Sequence, residues 1–187
     1  MLWRRESSFQ QVRRPLPQET LSSILNHGLA PYRVPRTQPA QGDKPDYDYL
    51  VAVDRVYDVF IAVFDVPGLE PGIYLYDLRT EHIQLVRAGE FRSEVQTCLI
   101  GQQASLFAGA VLFLTTDYRR IQWFYRHDRV IRNTYINSGK IMQSLILVAT
   151  AHGCRTSITP AVSDRKALQL LQLDDRNNQV LYTLALT

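Results

Sequence analysis

Residues 136–157, INSGKIMQSLILVATAHGCRTS, are expected to lie at the centre of the fold because their middle is apolar on nearly every side. Only small polar residues interrupt the run, so no single stripe faces water and the segment is predicted to form a buried helix. The apolar part, residues 140–151, has about 12 residues and is too short to cross a bilayer, which needs ~20. Gly153 is predicted to end the helix as a left-handed C-cap. We therefore expect the other elements to pack around this central helix.

The composition favours one domain covering residues 1–187. The chain is 45% hydrophobic, which is enough apolar material for a sizeable core at this length. The formal charge of +3 resides in the first fourteen residues, which contain four arginines and one glutamate, and the rest of the chain sums to zero. Nucleic-acid binding normally needs a larger basic patch on one face. A single anionic group, such as a phosphate, is a better match for this charge.

Cysteine and histidine usage gives no sign of a metal centre. Cys98 and Cys154 are far apart, and the four histidines lack the spacing of metal ligands. The amino terminus has no apolar segment of the kind found in signal peptides. We expect a reduced, cytoplasmic protein with no metal, no membrane segment and no nucleic-acid partner.

Hydrophobic periodicity and turn residues predict a mixed order of helices and strands. Residues 108–116, AGAVLFLTT, are apolar on both faces and are predicted to be the central strand. Residues 30–48 hold four of the nine prolines and are predicted to be a long loop. The last strand must join a sheet, in this subunit or in a neighbour's. The other predicted helices are 17–28, 90–103, 117–132 and 163–171, the last capped by Ser163, and the other strands are 49–53, 56–63, 73–77, 82–86, 155–159 and 179–187.

Several strings resemble the SagB-type dehydrogenase branch of the nitroreductase-type flavoprotein superfamily, which contains the azoline oxidases of thiazole- and oxazole-modified peptides. GLEPGIYLYD at 68–77 is similar to the branch's GL-x-PGLY-x-YD and is the most specific match. RRES at 4–7, leading into PLPQETL at 15–21, is similar to its basic amino-terminal motif and first helix. LIGQQASLFAGAVLFLTTDYRR at 99–120 resembles its Leu-Gly-Gln helix and central strand. Residues 137–164 resemble its central helix, following strand and Pro-containing loop.

The resemblance implies an α+β, nitroreductase-like fold with a central, mostly antiparallel sheet flanked by helices and a C-terminal strand extension. It implies a homodimer with flavin mononucleotide (FMN) in the subunit interface, or a heteromer with a biosynthetic partner. The implied reaction oxidises a thiazoline or oxazoline in a peptide or carrier-bound substrate. A proton leaves the ring carbon, a hydride goes to the flavin, and an aromatic azole results.

The resemblance also implies which residues hold the cofactor. An FMN phosphate is a dianion that favours guanidinium and hydroxyl donors, and the matching phosphate ligands are Arg4, Arg5, Ser7 and Arg132. The alternatives are a loose terminal arm for the first two arginines and a surface salt bridge for Arg132. The remaining cofactor-binding matches are Gln41, Gly42, Gln143 and Pro160.

The chain departs from the branch at its catalytic positions. FYRH at 124–127 stands where azoline oxidases have a Lys-Tyr pair, so Tyr125 is the nearest candidate for the base; the alternative is a packed aromatic. Lys140 stands at the predicted start of the central helix, where a cation is unfavourable unless an anion or substrate is bound; the alternative is simple solvent exposure. Phe9 replaces an expected second arginine, and PAQG at 39–42 replaces a Pro-Ser-Gly-Gly turn.

Three functions therefore remain open from the sequence. The first is an FMN-dependent oxidase or dehydrogenase acting on azolines in peptide natural-product biosynthesis. The second is a flavin-free, degenerate subunit that pairs with an active partner. The third is a general NAD(P)H-dependent nitro or quinone reductase.

Overall fold

The structure, a computed structural model, describes Ser7 and residues 12–32, 56–124 and 127–187, except for the side chain of Phe124. Its six strands are β1 (Tyr57–Val63), β2 (Gly72–Asp77), β3 (His82–Ala88), β4 (Ala110–Asp117), β5 (Thr156–Thr159) and β6 (Asn178–Leu186). They form one antiparallel sheet in the order β3-β2-β1-β4-β6-β5. The helices are α1 (Gln18–Leu29), α2 (Arg92–Cys98), α3 (Ala104–Phe107), α4 (Tyr118–Phe124), α5 (Arg129–Ala151) and α6 (Asp164–Leu171), with a 3-10 turn at Ala30–Tyr32.

The centre of the sheet is the strand that the sequence singled out. All eight residues of β4 are buried, and β4 pairs with β1 on one side and β6 on the other. Alternate residues of β1 pack into the two hydrophobic cores on opposite faces of the sheet, with Val59 and Ile61 in one core and Phe60 and Ala62 in the other. The predicted interior strand and the β2–β3 hairpin are confirmed. The α+β fold is therefore three layers of helix, sheet and helix.

Two sets of helices cover the two faces of the sheet. α1 and α5 share one core with the sheet, whereas α2, α3 and α6 share the other. α1 lies directly on α5, where a Cβ added to Gly28 would come within 2.8 Å of Leu145 Cδ2. Among the described residues, no helix is both long and apolar enough to cross a membrane.

The central helix is confirmed, but its predicted start was wrong. α5 has 23 residues and begins at Arg129, because Val130, Thr134 and Ser138 continue the buried face through a polar sequence. The helix predicted over 117–132 is therefore divided between α4 and the beginning of α5. Lys140 consequently lies in the middle of the helix, not at its positive end, and the macrodipole argument does not apply to it.

The end of α5 agrees with the sequence prediction. Gly153 has a φ of +75°, and its N–H donates to the Thr150 carbonyl at 3.1 Å. The Cys154 N–H donates to the Ala149 carbonyl at 3.0 Å, which completes a Schellman motif. The left-handed residue turns the chain away from the helix and into β5.

Other local predictions need smaller corrections. The helix predicted over 90–103 ends at Cys98, because Ile100 and Gly101 adopt positive φ and turn the chain into α3. Ser163 precedes α6, but its side chain makes no cap hydrogen bond. The final strand β6 lies between β4 and β5 of its own subunit. The predicted strand 49–53 and most of the loop 30–48 lie outside the described residues.

Candidate functional site

One face of α5 lies outside the core and carries several residues that the sequence singled out. The opposite face packs on α1 and the sheet through Ile141, Met142 and Leu145. Spacings of three and four residues place the remaining side chains on one side of the helix. We define the outer face of α5 as Arg132, Tyr135, Ile136, Gly139, Lys140, Gln143 and Leu147, all exposed or half-buried.

The outer face is positively charged. α5 contains Arg129, Arg132 and Lys140 but no Asp or Glu. The side chains of Arg132, Lys140 and Gln143 are exposed, and none makes a hydrogen bond or ion pair in the part of the chain that the structure describes. The surface salt bridge considered for Arg132 is therefore not formed there. A basic surface with uncommitted donors attracts an anion.

Apolar groups and one glycine interrupt these charges. Tyr135 is 42% exposed and Ile136 is 51% exposed. A Cβ added to Gly139 would meet nothing within 4 Å. A glycine inside a helix costs roughly 0.5–1 kcal/mol relative to alanine, and packing within the subunit does not require it. The position leaves room for the close approach of a group from outside the subunit.

Ser7 and Pro160 lie along the edge of the sheet formed by β5. Ser7 makes an isolated parallel bridge with Thr156, the first residue of β5. Pro160 follows Thr159, the last residue of the strand. The Thr159 hydroxyl oxygen accepts hydrogen bonds from the Ala161 N–H at 3.0 Å and the Gln102 amide at 3.1 Å, which fixes the loop. Both Ser7 and Pro160 are exposed.

The structure separates two of the predicted phosphate ligands. Arg132 lies one turn before Tyr135, whose hydroxyl donates to Gln179 near the start of β6. Ser7 lies beside Thr156, which pairs with Leu186 at the other end of β6. The two ends of β6 are about 26 Å apart at ~3.3 Å per residue. Ser7 and Arg132 therefore occupy opposite ends of the subunit, while Lys140 and Gln143 lie between them on the outer face.

A tyrosine cluster next to Arg132 was not predicted. The hydroxyls of Tyr118 and Tyr135 both donate to the Gln179 side-chain oxygen, the second at 2.9 Å. Burial, followed by the hydrogen bond with Tyr135, raises the pKa of Tyr118 above its usual range. The phenol of Tyr118 is therefore a neutral donor at physiological pH and links α4 to β6, whereas Tyr135 links the amino-terminal part of α5 to β6. The three residues of the cluster come from α4, α5 and β6, so no local sequence pattern predicts that they meet.

Five predicted site residues lie outside the described part of the chain: Arg4, Arg5, Gln41, Gly42 and Tyr125. Their roles stay predictions, as do the roles of Ser7, Arg132, Lys140, Gln143 and Pro160.

A separate depression lies on the opposite side of the sheet. It has a volume of about 760 Å³ and lies between α2 and α6, lined by Thr97, Ile100, Ser163 and Lys166 among others. None of the predicted site residues lines it. No group of three or more His, Cys, Asp or Glu side chains among the described residues is arranged to hold a metal ion. The outer face of α5 with the β5 edge is thus the better candidate site.

Known proteins resemble the chain in sequence and in fold. It is 30% identical to the trifolitoxin operon protein TfxC of Rhizobium leguminosarum bv. trifolii over 108 residues, 58% of the chain and 30% of TfxC. An Anabaena variabilis structure classed as a nitroreductase shares 26% identity at a TM-score of 0.78, over 97% of the chain and 36% of that protein. The chain therefore spans about a third of the length of these two relatives.

Two further structures share the fold at lower identity. The E. coli microcin synthetase McbBCD, in complex with truncated pro-MccB17, has a TM-score of 0.78 at 18% identity, over 98% of the chain and 68% of the matched chain. A Desulfovibrio desulfuricans protein in complex with FMN has a TM-score of 0.63 at 12% identity, over 99% of the chain and 81% of that protein. The nitroreductase family profile matches residues 12–186. The chain belongs to the nitroreductase family.

Proposed function

We propose that the chain is an FMN-dependent oxidase that converts an azoline in a peptide or carrier-bound substrate to an azole. Membership of the nitroreductase family indicates an oxidoreductase. The observation that carries the finer proposal is the pair of relatives linked to peptide products, TfxC of the trifolitoxin operon and microcin synthetase bound to truncated pro-MccB17. By analogy, we expect a modified peptide as the substrate of this chain.

The positive charge of the outer face of α5 supports the proposal that FMN binds there. Proteins of this family commonly bind FMN, and one structural relative is in complex with it. The phosphate dianion suits a face that carries Arg132 and Lys140 on a helix with no acidic residue. The open space at Gly139 suits the close approach of a flat ring. Arg132 and Gln143 of one copy, with Ser7 and Pro160 of a second copy as the resemblance implies, are the described residues that we expect to hold the cofactor.

The residues of the chain would bind the substrate and take up a proton. Bound FMN supplies a two-electron acceptor for a hydride. We expect Lys140, which is exposed beside Gln143 on the same face, to donate a hydrogen bond to a substrate carbonyl or carboxylate. Tyr125, four residues before α5, is proposed to accept the carbon-bound proton as its phenolate, which becomes the neutral phenol. Removing one hydride and one proton from neighbouring ring atoms leaves the aromatic azole.

A spectroscopic experiment tests this function. The purified protein is saturated with FMN, desalted and mixed anaerobically with a peptide that contains a thiazoline. We expect loss of the oxidised flavin band and a product that has lost two hydrogens by mass spectrometry. Bleaching by NAD(P)H without any reaction of the thiazoline would favour a general reductase. A colourless protein that cannot be loaded with FMN would favour a flavin-free subunit.

A further inference from the structure

An isoleucine beside the depression between α2 and α6 has a backbone conformation that its own subunit does not explain. Ile100 has a φ of +55° and is followed by Gly101 at +77°. The left-handed region suits glycine and asparagine, whereas a β-branched side chain is strained there. Ile100 is also 66% exposed, so burial of its side chain does not offset the strain. Because strained residues are concentrated where ligands bind, Ile100 indicates a contact with a group from outside the chain.

The walls of the depression are held in place without a ligand. The Gly101 N–H donates to the Gln96 carbonyl at 2.9 Å, which fixes the turn at the end of α2. The Ser163 N–H donates to the Cys98 carbonyl at 2.8 Å and joins the start of α6 to the end of α2. A preformed site loses less conformational freedom when a ligand binds than a site that must first become ordered.

Three polar side chains in the depression have no partner on the protein. Gln96, Ser163 and Lys166 make no side-chain hydrogen bond or ion pair with any residue that the structure describes. Lys166 is exposed, and the other two are half-buried. All three line the same depression, which therefore offers an ammonium, an amide and a hydroxyl group to one ligand.

The charge of the depression indicates the class of ligand. Lys166 is the one charged residue among the described residues that line it. The neighbouring Asp164 makes no ion pair with Lys166, and its carboxylate interacts with the backbone N–H of Val180 on β6. A single ammonium group beside amide and hydroxyl donors suits a carboxylate. The exposed side chain of Ile100 suits an apolar group next to that carboxylate, and the volume of about 760 Å³ is within the range of small-molecule sites.

We propose that the depression between α2 and α6 binds a carboxylate attached to an apolar group, with Lys166 paired with the carboxylate and Ile100 in contact with the apolar group. This chemistry belongs to the carboxyl-terminal residue of a peptide that ends in an apolar side chain, and equally to a free organic acid. The site lies on the opposite side of the sheet from the outer face of α5. It is therefore separate from the proposed FMN site and does not depend on it.

An NMR titration of the nitrogen-15-labelled protein tests the site. The probes are the peptide Gly-Ser-Gly-Leu-Leu with a free carboxyl terminus, the same peptide with an amidated terminus, and N-acetyl-leucine. We expect the free-acid peptide to shift the backbone amide signals of Thr97, Gly101 and Ser163 in a saturable way, and the amidated peptide to bind about tenfold or more weakly.

The same titration separates the two sources of the ligand. Tighter binding of the free-acid peptide than of N-acetyl-leucine would identify a peptide terminus, whereas equal binding would identify a free acid. Equal affinity for the free-acid and amidated peptides would overturn the proposal, because the carboxylate would then contribute nothing. Saturable shifts that are absent from these three amides would overturn it as well.

A pair of charge variants tests the role of Lys166. Lys166→Gln should weaken binding of the free-acid peptide about tenfold, because the carboxylate loses its cation. The matched control is Arg165→Gln, which removes an adjacent exposed cation that does not line the depression. The control should bind within about twofold of the wild type. An equal loss of affinity in the two variants would show general charge attraction and would contradict a pair with Lys166.

Two substitutions at Ile100 test the origin of its strain. Ile100→Asn places a residue that tolerates the left-handed region, so we expect a higher urea midpoint together with about tenfold weaker binding of the free-acid peptide. Ile100→Val keeps a β-branched apolar side chain and should bind within about twofold of the wild type. An Ile100→Asn protein that keeps wild-type affinity, or that unfolds at a lower urea concentration, would refute the assignment of Ile100 to the ligand.

Discussion

The close contact between α1 and α5 gives the sharpest prediction about stability. A methyl group at Gly28 would lie 2.8 Å from Leu145 Cδ2 and 3.1 Å from Leu145 Cα. The Cδ2 methyl can rotate away, but the Cα cannot, so α1 must shift away from α5. Overpacking of this kind costs about 1–3 kcal/mol. We therefore expect Gly28→Ala to weaken the packing of α1 on the central helix.

Gly139→Ala is the matched control. Both glycines are helical, so the roughly 0.5–1 kcal/mol that alanine gains in helix propensity is similar at the two positions. A Cβ at Gly139 meets nothing within 4 Å. In dilute protein we expect Gly139→Ala to raise the free energy of unfolding by up to about 1 kcal/mol. The difference between the two variants isolates the contact with Leu145 and should be about 1–3 kcal/mol.

Urea unfolding followed by circular dichroism measures this difference. Relative to wild type, the urea midpoints of the two variants should move in opposite directions, or the midpoint of Gly28→Ala should at least fall well below that of Gly139→Ala. The slope of the free energy of unfolding against urea concentration should stay unchanged. Equal midpoints for the two alanine variants would refute the argument, because α1 would then have room at Gly28 that the structure does not show. A changed slope would instead indicate an altered unfolded or native state.

Three further predictions concern polar groups outside the outer face of α5. Arg92→Met should lower the free energy of unfolding by about 1–3 kcal/mol, because the two hydrogens of Nη1 are shared among the carbonyls of Ser105, Leu106 and Ala108; an unchanged free energy in urea unfolding would contradict this. The hydrogen bond from Arg119 lowers the pKa of Asp117 below 3.8, so this pair adds a modest stability above about pH 4 that is lost as the pH falls. Arg119→Ala should flatten the acid limb of a stability profile, and an unchanged limb would count against the pair. Burial raises the pKa of the Cys98 thiol to about 11, so native Cys98 should react slowly with DTNB at pH 8 and rapidly once guanidinium unfolds the chain; rapid labelling of the native protein, lost in Cys98→Ala, would contradict its burial.

Patterns with a single physical cause were predictable from the sequence. AGAVLFLTT is apolar on both faces, and β4 is buried along its whole length. The turns that flank GIYLYD specify the β2–β3 hairpin. Gly153 ends α5 because the left-handed conformation at that point favours glycine. In each case the local pattern and the tertiary structure agree.

Features that depend on tertiary context were not predictable. The first third of α5 mixes polar and apolar residues, and only its docking on the core makes Val130, Thr134 and Ser138 a buried face. For the same reason Lys140 was placed at a helix end when it lies at the middle. The distance between Ser7 and Arg132 depends on which strands are neighbours, and sequence spacing contains no such information. By contrast, the shared face of Lys140 and Gln143 follows from helical spacing alone, because the two residues are three apart.

We propose that this chain binds FMN, and the amount of FMN retained by the folded protein tests this proposal most directly. Equilibrium dialysis of the purified protein against excess FMN, followed by an absorbance scan and sedimentation, gives the flavin content and the number of subunits together. We expect one FMN per subunit, in the dimer that the resemblance implies. Folded protein that retains no flavin after this treatment would contradict it.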